Sequence, residues 1–217
     1  MIKAVIFDMD GLLIDSEMIS YYCYRDVLKE YGYSFTLEDY IKDYPGRQLV
    51  TSLNFILDHY DIKDDVNHLS DLFRKYEKYH IDNEGVSLKD GALELINYLK
   101  DNNYKTIIAT SSRKERAEMF LKPHHILEMM DDVVYGFEVE HGKPAPDIFL
   151  KACDKLGCNV DEALVLEDSE AGIDSAYSAN IKAICIPDLK KPDTLHQQRC
   201  TCLSSLNEVI EYLKNNR

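Results

Sequence analysis

A short apolar run that ends in two acids, close to the start of the chain, most limits what this sequence can fold into. Residues 4–7 are apolar and partly β-branched, which predicts a buried strand. Asp8 and Asp10 follow this run, and Asp10-Gly11 is a turn signal. Side chains two residues apart in an extended chain point the same way, so both carboxylates are expected at one end of the strand. Like charges about 4 Å apart repel by about 1 to 4 kcal/mol near a protein surface or in water, so a divalent cation or a shared proton is expected between them.

The acid pair alone does not decide between a functional site and local structure. An acid at the end of a strand is often only a turn former or the N-cap of a helix. The remainder of the chain therefore has to show whether other polar groups reach the same place.

Strands and helices alternate in the chain from residue 85 onward. Apolar runs predict strands at 105–110, 132–135, 163–166 and 183–186, and amphipathic patterns predict helices between several of them and near the C-terminus. This alternation is typical of right-handed crossovers and of a parallel sheet that is covered on both faces. We therefore predict an α/β core with a parallel sheet.

The stretch from about residue 16 to residue 84 differs, because its apolar residues follow helical spacing. Three helical sets are recognisable, and no strand pattern competes with them. They are Ile19, Tyr22, Cys23 and Val27; Leu49, Leu53, Ile56, Leu57 and Tyr60; and Val66, Leu69, Phe73, Tyr76 and His80. We therefore predict an all-helical domain of residues 16–84, inserted into a core formed by residues 1–15 and 85–217.

Length and charge restrict the class of protein further. A chain of 217 residues can hold one α/β domain of ordinary size and a sizeable insertion. A formal net charge of −14 argues against a nucleic-acid backbone or an anionic membrane as the main partner. No apolar run approaches the ~20 residues of a membrane span, and a strand that begins at Ile2 leaves no room for a signal peptide. We expect a cytoplasmic monomer with no nucleic-acid or membrane partner.

The cysteines and histidines predict no further site. None of the six cysteines forms a C-x-x-C pair, and Cys200-Thr201-Cys202 alternates like a strand and is a poor tetrahedral chelate by itself. The seven histidines include the adjacent pair His124-His125 but show no metal-ligand spacing. We therefore expect reduced thiols and ordinary surface or packing histidines.

Polar side chains follow the later predicted strands at the points where those strands end. Hydroxyl groups come after Lys105–Ala109, acids follow the strand at 163–166, and a lysine lies in a loop between them: Thr110, Ser111, Ser112, Lys143, Glu167 and Asp168. Ser112 and Ser169 also fit helix N-caps, and 144–147 fits a helix start. Ligands of parallel sheets bind beyond the carboxyl ends of the strands, however, and separate local explanations do not predict one shared edge.

Phosphoryl transfer is the chemistry that needs this set of groups. Carboxylates and water suit Mg²⁺, and a metal ion, a lysine, hydroxyls and backbone N–H groups together can hold phosphoryl oxygens. One aspartate can attack phosphorus and form an acyl-phosphate, while the other protonates the leaving oxygen and then activates water. Phosphate-monoester hydrolysis is among the slowest uncatalysed reactions, which favours a preorganised, metal-charged site.

Four motifs in this sequence resemble, in order, those of the haloacid dehalogenase superfamily. They are Phe7-Asp8-Met9-Asp10-Gly11, the strand-end Thr110, Gly142-Lys143-Pro144 and Glu167-Asp168. Three longer segments are similar to its β-phosphoglucomutase-like, phosphatase-rich branch: Asp15-Ser16-Glu17, Lys143-Pro144-Ala145-Pro146-Asp147-Ile148-Phe149 and Glu167-Asp168-Ser169-x-x-Gly172. The resemblance spans essentially the whole chain. It implies a Rossmann-like, doubly wound core with an inserted helical cap that excludes water and selects the substrate.

Carried over to this sequence, the resemblance implies a role for each site residue. Asp8 would be the nucleophile, and Asp10 would be the general acid and base. Thr110 and Lys143 would hold the phosphoryl group, together with the backbone N–H of Ser111. The Mg²⁺ ligands would be Asp8, the carbonyl of Asp10 and Asp168, with Glu167 as an outer-sphere or alternate ligand.

Two departures from the family pattern bear on the reaction. Mutase members of the branch have a histidine at the position of Ser20, and their cap arginine lies three residues after a glycine, whereas Arg47 follows Gly46 directly. Gly46 and Arg47 remain candidate substrate contacts, although Arg47 equally fits a solvated helix start. We therefore predict a Mg²⁺-dependent phosphatase that acts on a small phosphorylated metabolite, with a sugar phosphate as the expected substrate. The alternatives are a hexose-phosphate mutase of the same branch and, from another class, a receiver-like or catalytically silent phosphate-binding module.

Overall fold

The computed structural model describes residues 1–45 and 47–216. Its centre is a sheet of parallel strands: β1 (Ala4–Phe7), β2 (Lys105–Thr110), β3 (Asp132–Tyr135), β4 (Ala163–Glu167), β5 (Lys182–Cys185) and β6 (Thr201–Cys202). Their order in the sheet is β3-β2-β1-β4-β5-β6. The predicted α/β class with a Rossmann-like parallel sheet is therefore confirmed.

The chain divides into two compact units, one of residues 1–15 and 88–217 and the other of residues 16–87. The second unit contains the helices α1 (Ser16–Glu30), α2 (Leu37–Asp43), α3 (Leu49–His59) and α4 (Val66–Glu84). α2 is a short helix that the apolar spacing of the sequence did not indicate. Thr36 and Asp39 form a reciprocal capping box at its start, and this pairing is a helix signal that the sequence does contain.

The helices of the first unit connect and flank its strands. They are α5 (Ala92–Asp101), α6 (Lys114–Leu121), α7 (Asp147–Leu156), α8 (Glu170–Ser178), α9 (Thr194–Gln197) and α10 (Leu206–Asn215). Ile148, Phe149 and Ala152 of α7 pack in one core cluster with β1, β2 and β4. Burial of such apolar side chains contributes about 1.5 to 3 kcal/mol each relative to exposure, which holds the strand ends in place.

Both ends of the helical insertion attach to the first unit at neighbouring points. The backbone N–H of Lys89 donates a hydrogen bond of 2.9 Å to the carbonyl of Leu13, and Ile14 forms an antiparallel bridge with Leu88. These contacts explain why the first unit resumes at Leu88. The predicted boundary at residue 85 instead coincides with the end of α4, where Gly85 adopts a left-handed φ of +75°.

Candidate active site

The carboxyl ends of β1 and β4 lie side by side, at the point where the strand order reverses. Phe7 is in register with Leu166, and the backbone N–H of Asp8 donates a hydrogen bond of 2.9 Å to the carbonyl of Leu166. β2 borders β1 on the other side, with Phe7 opposite Ile108. Open parallel sheets bind ligands at such a reversal, because the crossovers leave in opposite directions and open a crevice.

Lys143 reaches this crevice from the loop that precedes α7. Its Nζ donates hydrogen bonds to Oδ1 of Asp8, to Oε1 of Glu167 at 2.6 Å and to the carbonyl of Ala109 at 3.3 Å. The side chain of Lys143 is 7% exposed and that of Glu167 is fully buried. Buried charges persist only when they are paired, so this lysine ties the ends of β1, β2 and β4 together electrostatically.

Glu167 is held on its other oxygen by the start of α8. Oε2 of Glu167 accepts hydrogen bonds from the backbone N–H of Asp168 at 3.1 Å, and from the N–H and hydroxyl of Ser169 at 3.0 and 2.9 Å. Gly172 makes this burial possible, because a Cβ at that position would overlap the carboxyl group of Glu167. Glu167 therefore takes part in a fixed network and is not a free surface acid.

The acids at this crevice form an oxygen-donor set that fits Mg²⁺. Carboxylate oxygens of Asp8, Glu167 and Asp168 all lie within 4.8 Å of one another. Gly11 approaches them closely, since a Cβ there would overlap Oδ2 of Asp168, and its φ of +77° suits glycine. Hard oxygen ligands are what Mg²⁺ prefers in proteins.

Burial and the charges of neighbouring groups shift the pKa values of Asp8 and Lys143. Burial raises the pKa of Asp8 to about 7, and the carboxylates of Glu167 and Asp10 add to the increase, while Lys143 opposes it. Burial works against the charged form of Lys143, but the carboxylates of Asp8 and Glu167 outweigh it and raise the pKa of this lysine. Lys143 therefore keeps its positive charge at neutral pH.

Asp10 is bound by Ser112, one of the predicted strand-end hydroxyls, and by Arg116 of α6, which was not among the predicted site residues. Oδ2 of Asp10 accepts a hydrogen bond of 2.8 Å from the hydroxyl of Ser112, and Oδ1 accepts one of 2.6 Å from Nη1 of Arg116. Nη1 of Arg116 also donates to the hydroxyl of Ser112 at 2.7 Å. Arg116 lies four residues after Ser112, but Ser112 precedes α6, which begins at Lys114, so the sequence spacing alone does not predict this contact.

The remaining predicted phosphate-binding residues lie at the end of β2. Thr110 is its last residue and is buried, and Oγ1 of Thr110 accepts a hydrogen bond of 3.0 Å from the backbone N–H of Ser112. Ser111 follows and is exposed. Of the two serines considered as helix caps, Ser169 does cap α8, whereas the N-cap position of α6 belongs to Arg113.

The chain matches the family model of haloacid dehalogenase-like hydrolases over residues 5–186. It belongs to this family. The match covers every motif from the acid pair after β1 to the acids after β4. This match confirms the predicted superfamily. The phosphatases among the similar proteins confirm the predicted enzyme class, a phosphoric monoester hydrolase.

Similar proteins of this hydrolase family cover almost the entire chain. The phosphorylated carbohydrates phosphatase of Thermotoga maritima is 29% identical over 98% of this chain and 98% of its own. A family IA, variant 3 hydrolase from Entamoeba histolytica has a solved structure with a TM-score of 0.82, 28% identity and coverage of 99% and 100% of the two chains. β-Phosphoglucomutase from Clostridium difficile has a TM-score of 0.78 at 23% identity, with coverage of 99% and 96%, and this likeness shows the fold alone.

A further acid, which the sequence analysis did not single out, lies beside the crevice of this hydrolase. Asp188 follows β5, its side chain is 7% exposed, and its Oδ1 accepts a hydrogen bond of 2.7 Å from Nζ of Lys89. Burial raises the pKa of Asp188 even though Lys89 opposes the increase. A Cβ on Gly11 would lie 3.3 Å from Oδ2 of Asp188, so this acid lines the same turn as Asp168.

Arg47, a predicted substrate contact, packs against residues of the helical unit. The guanidinium of Arg47 lies 3.9 Å from Oδ1 of Asp43 and 5.3 Å from the ring centre of Phe55. Gly46 lies outside the described residues. Among the described helices, none combines the length and the apolar character that crossing a membrane requires.

Proposed function

We propose that this hydrolase is a Mg²⁺-dependent phosphatase that cleaves small phosphate monoesters, and sugar phosphates in particular, through an aspartyl-phosphate. The observation that carries the proposal is the convergence of Asp8, Lys143 and Asp168 in one crevice, although they lie on separate segments of the chain. The name of the Thermotoga relative, a phosphorylated carbohydrates phosphatase, supports the same substrate class.

Asp8 is the proposed nucleophile. One of its carboxylate oxygens attacks phosphorus in line as the bond from phosphorus to the ester oxygen breaks, and the product is a phosphoryl group on Asp8. Lys143 lies against Asp8 and supplies positive charge where the phosphoryl oxygens gather negative charge. The hydroxyl of Thr110 and the backbone N–H of Ser111, at the end of the neighbouring strand, would bind the same oxygens.

Asp10 is the proposed proton carrier. It donates a proton to the leaving oxygen in the first step and accepts a proton from water in the second. That water attacks phosphorus, the bond from phosphorus to Asp8 breaks, and inorganic phosphate leaves. Ser112 and Arg116 bind one oxygen of Asp10 each and so hold its carboxyl group in a defined position.

Asp8, Asp168 and the carbonyl of Asp10 would hold Mg²⁺, with Glu167 beside them as an outer-sphere or alternate ligand. The bound ion would supply charge neutralisation for the nucleophile and for the phosphoryl oxygens. Glu167 already binds Lys143 and the start of α8, which favours the outer role for it.

The alternative within the family is a hexose-phosphate mutase. It would need a bisphosphate primer, and the replacement of the mutase histidine by Ser20 and the order Gly46-Arg47 argue against it. A receiver-like or silent phosphate-binding module would bind phosphate without turnover. We also propose a cytoplasmic monomer that acts on a small metabolite, since a net charge of −14 disfavours nucleic acid and anionic membranes.

A phosphate-release screen tests the proposal directly. The panel would contain sugar phosphates, nucleotides and an aryl phosphate, each assayed with Mg²⁺ and with EDTA. Asp8→Asn is expected to abolish turnover, whereas Asp154→Asn, a matched change at an exposed position of α7, is expected to leave it unchanged. Turnover that persists in EDTA or in Asp8→Asn would refute the mechanism, and conversion of β-glucose 1-phosphate only with a bisphosphate primer would identify a mutase.

A further inference from the structure

Three cysteine sulfurs meet on β5 and β6, at the edge of the sheet and next to the strand that carries Glu167. Cys185 ends β5 and Cys202 ends β6, and the parallel register of these strands places the two residues opposite each other. Cys200 lies immediately before β6. The sulfur atoms of all three residues lie within 4.8 Å of one another, and Sγ of Cys200 is 3.8 Å from Sγ of Cys202.

This spacing matches the ligand shell of a thiophilic metal ion. Zinc–sulfur bonds are about 2.3 Å long, and two such bonds at a tetrahedral angle separate their sulfurs by about 3.8 Å. The Cys200–Cys202 pair already has this separation. Since no pair of the cluster is wider than 4.8 Å, the third sulfur would need to move by about 1 Å at most to complete the shell.

The three cysteines differ in solvent exposure, and a site that takes up an ion from solution needs at least one accessible ligand. Cys185 is buried, Cys200 is half-buried and Cys202 is exposed, so the sulfurs are anchored on one side and accessible on the other. Thiolates are soft ligands and select Zn²⁺ and Cu(I) over Mg²⁺, whereas carboxylates and water suit Mg²⁺. The chain thus has two separate donor sets of opposite preference.

We propose that Cys185, Cys200 and Cys202 form a three-thiolate site for one thiophilic metal ion, Zn²⁺ or Cu(I). In the Zn²⁺ form, water completes the tetrahedron on the exposed side; Cu(I) is held by the three sulfurs alone. The site adjoins the oxygen-donor acids, since Sγ of Cys185 lies 3.9 Å from the carbonyl oxygen of Asp168 and Cys185 is in register with Glu167.

Metal titration of the reduced, metal-free protein tests this site, with excess Mg²⁺ present to occupy the carboxylates. Co²⁺ serves as the spectroscopic probe for the zinc form, because thiolate ligation gives ultraviolet charge-transfer bands that carboxylate ligation lacks. Zn²⁺ is then titrated against a chromophoric chelator, and Cu(I) against a Cu(I)-specific dye. One equivalent of either ion, bound with thiolate bands for Co²⁺ or with three thiols protected from alkylation for Cu(I), is the expected result.

Matched variants separate this site from other thiols and from the carboxylates. Cys202→Ser removes an exposed ligand and is expected to weaken binding at least tenfold, while Cys158→Ser, at a half-buried cysteine outside the cluster, is expected to leave it unchanged. Asp8→Asn is also expected to leave it unchanged, whatever its effect on phosphate release. Absence of thiolate ligation, or equal affinity in wild type and Cys202→Ser, would overturn the proposal.

Discussion

Nη1 of Arg116 donates a hydrogen bond of 2.6 Å to Oδ1 of Asp10, and the same nitrogen donates to the hydroxyl of Ser112 at 2.7 Å. Ser112 in turn donates to the other oxygen of Asp10 at 2.8 Å. The guanidinium of Arg116 also lies 4.5 Å from the ring centre of Phe120, one turn further along α6. The position of the proposed proton carrier therefore depends on the first turns of a helix that follows a different strand.

Replacement of Arg116 by methionine is expected to lower kcat by about tenfold with little change in KM. A positioned general acid and base raises the rate by about 10² to 10⁴-fold. A carboxyl group that is held less firmly is expected to retain only part of this rate enhancement. Arg116→Lys is expected to restore part of the loss, because a lysine can still donate to Asp10. Arg113→Met, a matched change at an exposed arginine, serves as control. A normal kcat in Arg116→Met would show that Ser112 alone is sufficient to position Asp10.

Lys143→Met tests the buried ion cluster. Removal of the cation leaves the carboxylates of Asp8 and Glu167 buried without it, so the free energy of unfolding is expected to fall by about 3 to 5 kcal/mol. Loss of a charge at the phosphoryl oxygens is expected to lower kcat/KM by at least about a hundredfold. Mg²⁺ should stabilise this variant more than wild type, because the ion supplies the missing charge.

Urea unfolding with and without Mg²⁺ measures these effects of Lys143→Met. The matched control is Lys155→Met, since Nζ of Lys155 lies 3.1 Å from Glu138 in a more exposed ion pair, with the lysine side chain 24% exposed. Exposed pairs contribute about 0 to 1 kcal/mol. Equal losses of stability in the two variants would contradict the assigned role of Lys143.

Gly172→Ala is expected to destabilise the protein even though alanine favours helices by about 1 kcal/mol over glycine. The added Cβ would overlap the carboxyl group of Glu167, and overpacking of this kind costs about 1 to 3 kcal/mol. Gly142→Ala is the matched control, because no heavy atom lies within 4 Å of a Cβ there. Thermal unfolding measures the stability of both variants, and Gly172→Ala is expected to have the lower Tm. Equal stability of the two variants would contradict the packing argument.

The ionisation of Asp26 is expected to make the stability of the protein depend on pH. Its carboxylate binds Arg25 and also lies 2.8 Å from Nε2 of His80, which is 2% exposed. Burial opposes the charged form of Asp26, but the hydrogen bonds from Arg25 and His80 outweigh it and lower its pKa. The stabilisation is therefore fully present above the pKa of about 3.9 that an unfolded aspartate has, and it is lost as the pH falls through the lower folded value.

Urea unfolding of wild type and Asp26→Asn between pH 6 and pH 3 measures this effect. At pH 6 the variant is expected to be less stable by about 1 to 3 kcal/mol, because His80 loses a charged partner, and the difference should shrink toward pH 3. Asp82→Asn, which removes an exposed pair with Lys78, is the control. A stability difference that does not change with pH would show that the charge of Asp26 is not the cause.

The acid pair and the convergence of strand ends were predictable because both follow from local rules. Residues 4–7 could be assigned to a strand from their apolar pattern, and the alternation with helices placed all strand ends at one edge. Arg116 was not predictable in this way, because it lies on α6 and not at the end of a strand. Its contact with Asp10 depends on how α6 packs after β2.

The thiol cluster could not be predicted from the sequence. Cys200 and Cys202 alone give two sulfurs, and the third belongs to Cys185 on a neighbouring strand. Which strands become neighbours, and in which register, depends on the packing of the whole sheet and not on any local pattern. The same holds for Asp188, whose distance from Gly11 is set by how the loops after β1 and β5 fold over the sheet edge.

The hydrogen bond between Lys89 and Leu13 joins two residues of the first unit that lie close to the ends of the helical insertion. A foreign segment with closely spaced ends could therefore replace the insertion at this junction, since this hydrogen bond and the strand pairs of the sheet join residues of the first unit only. The inserted segment and the sheet could then change in sequence independently of each other.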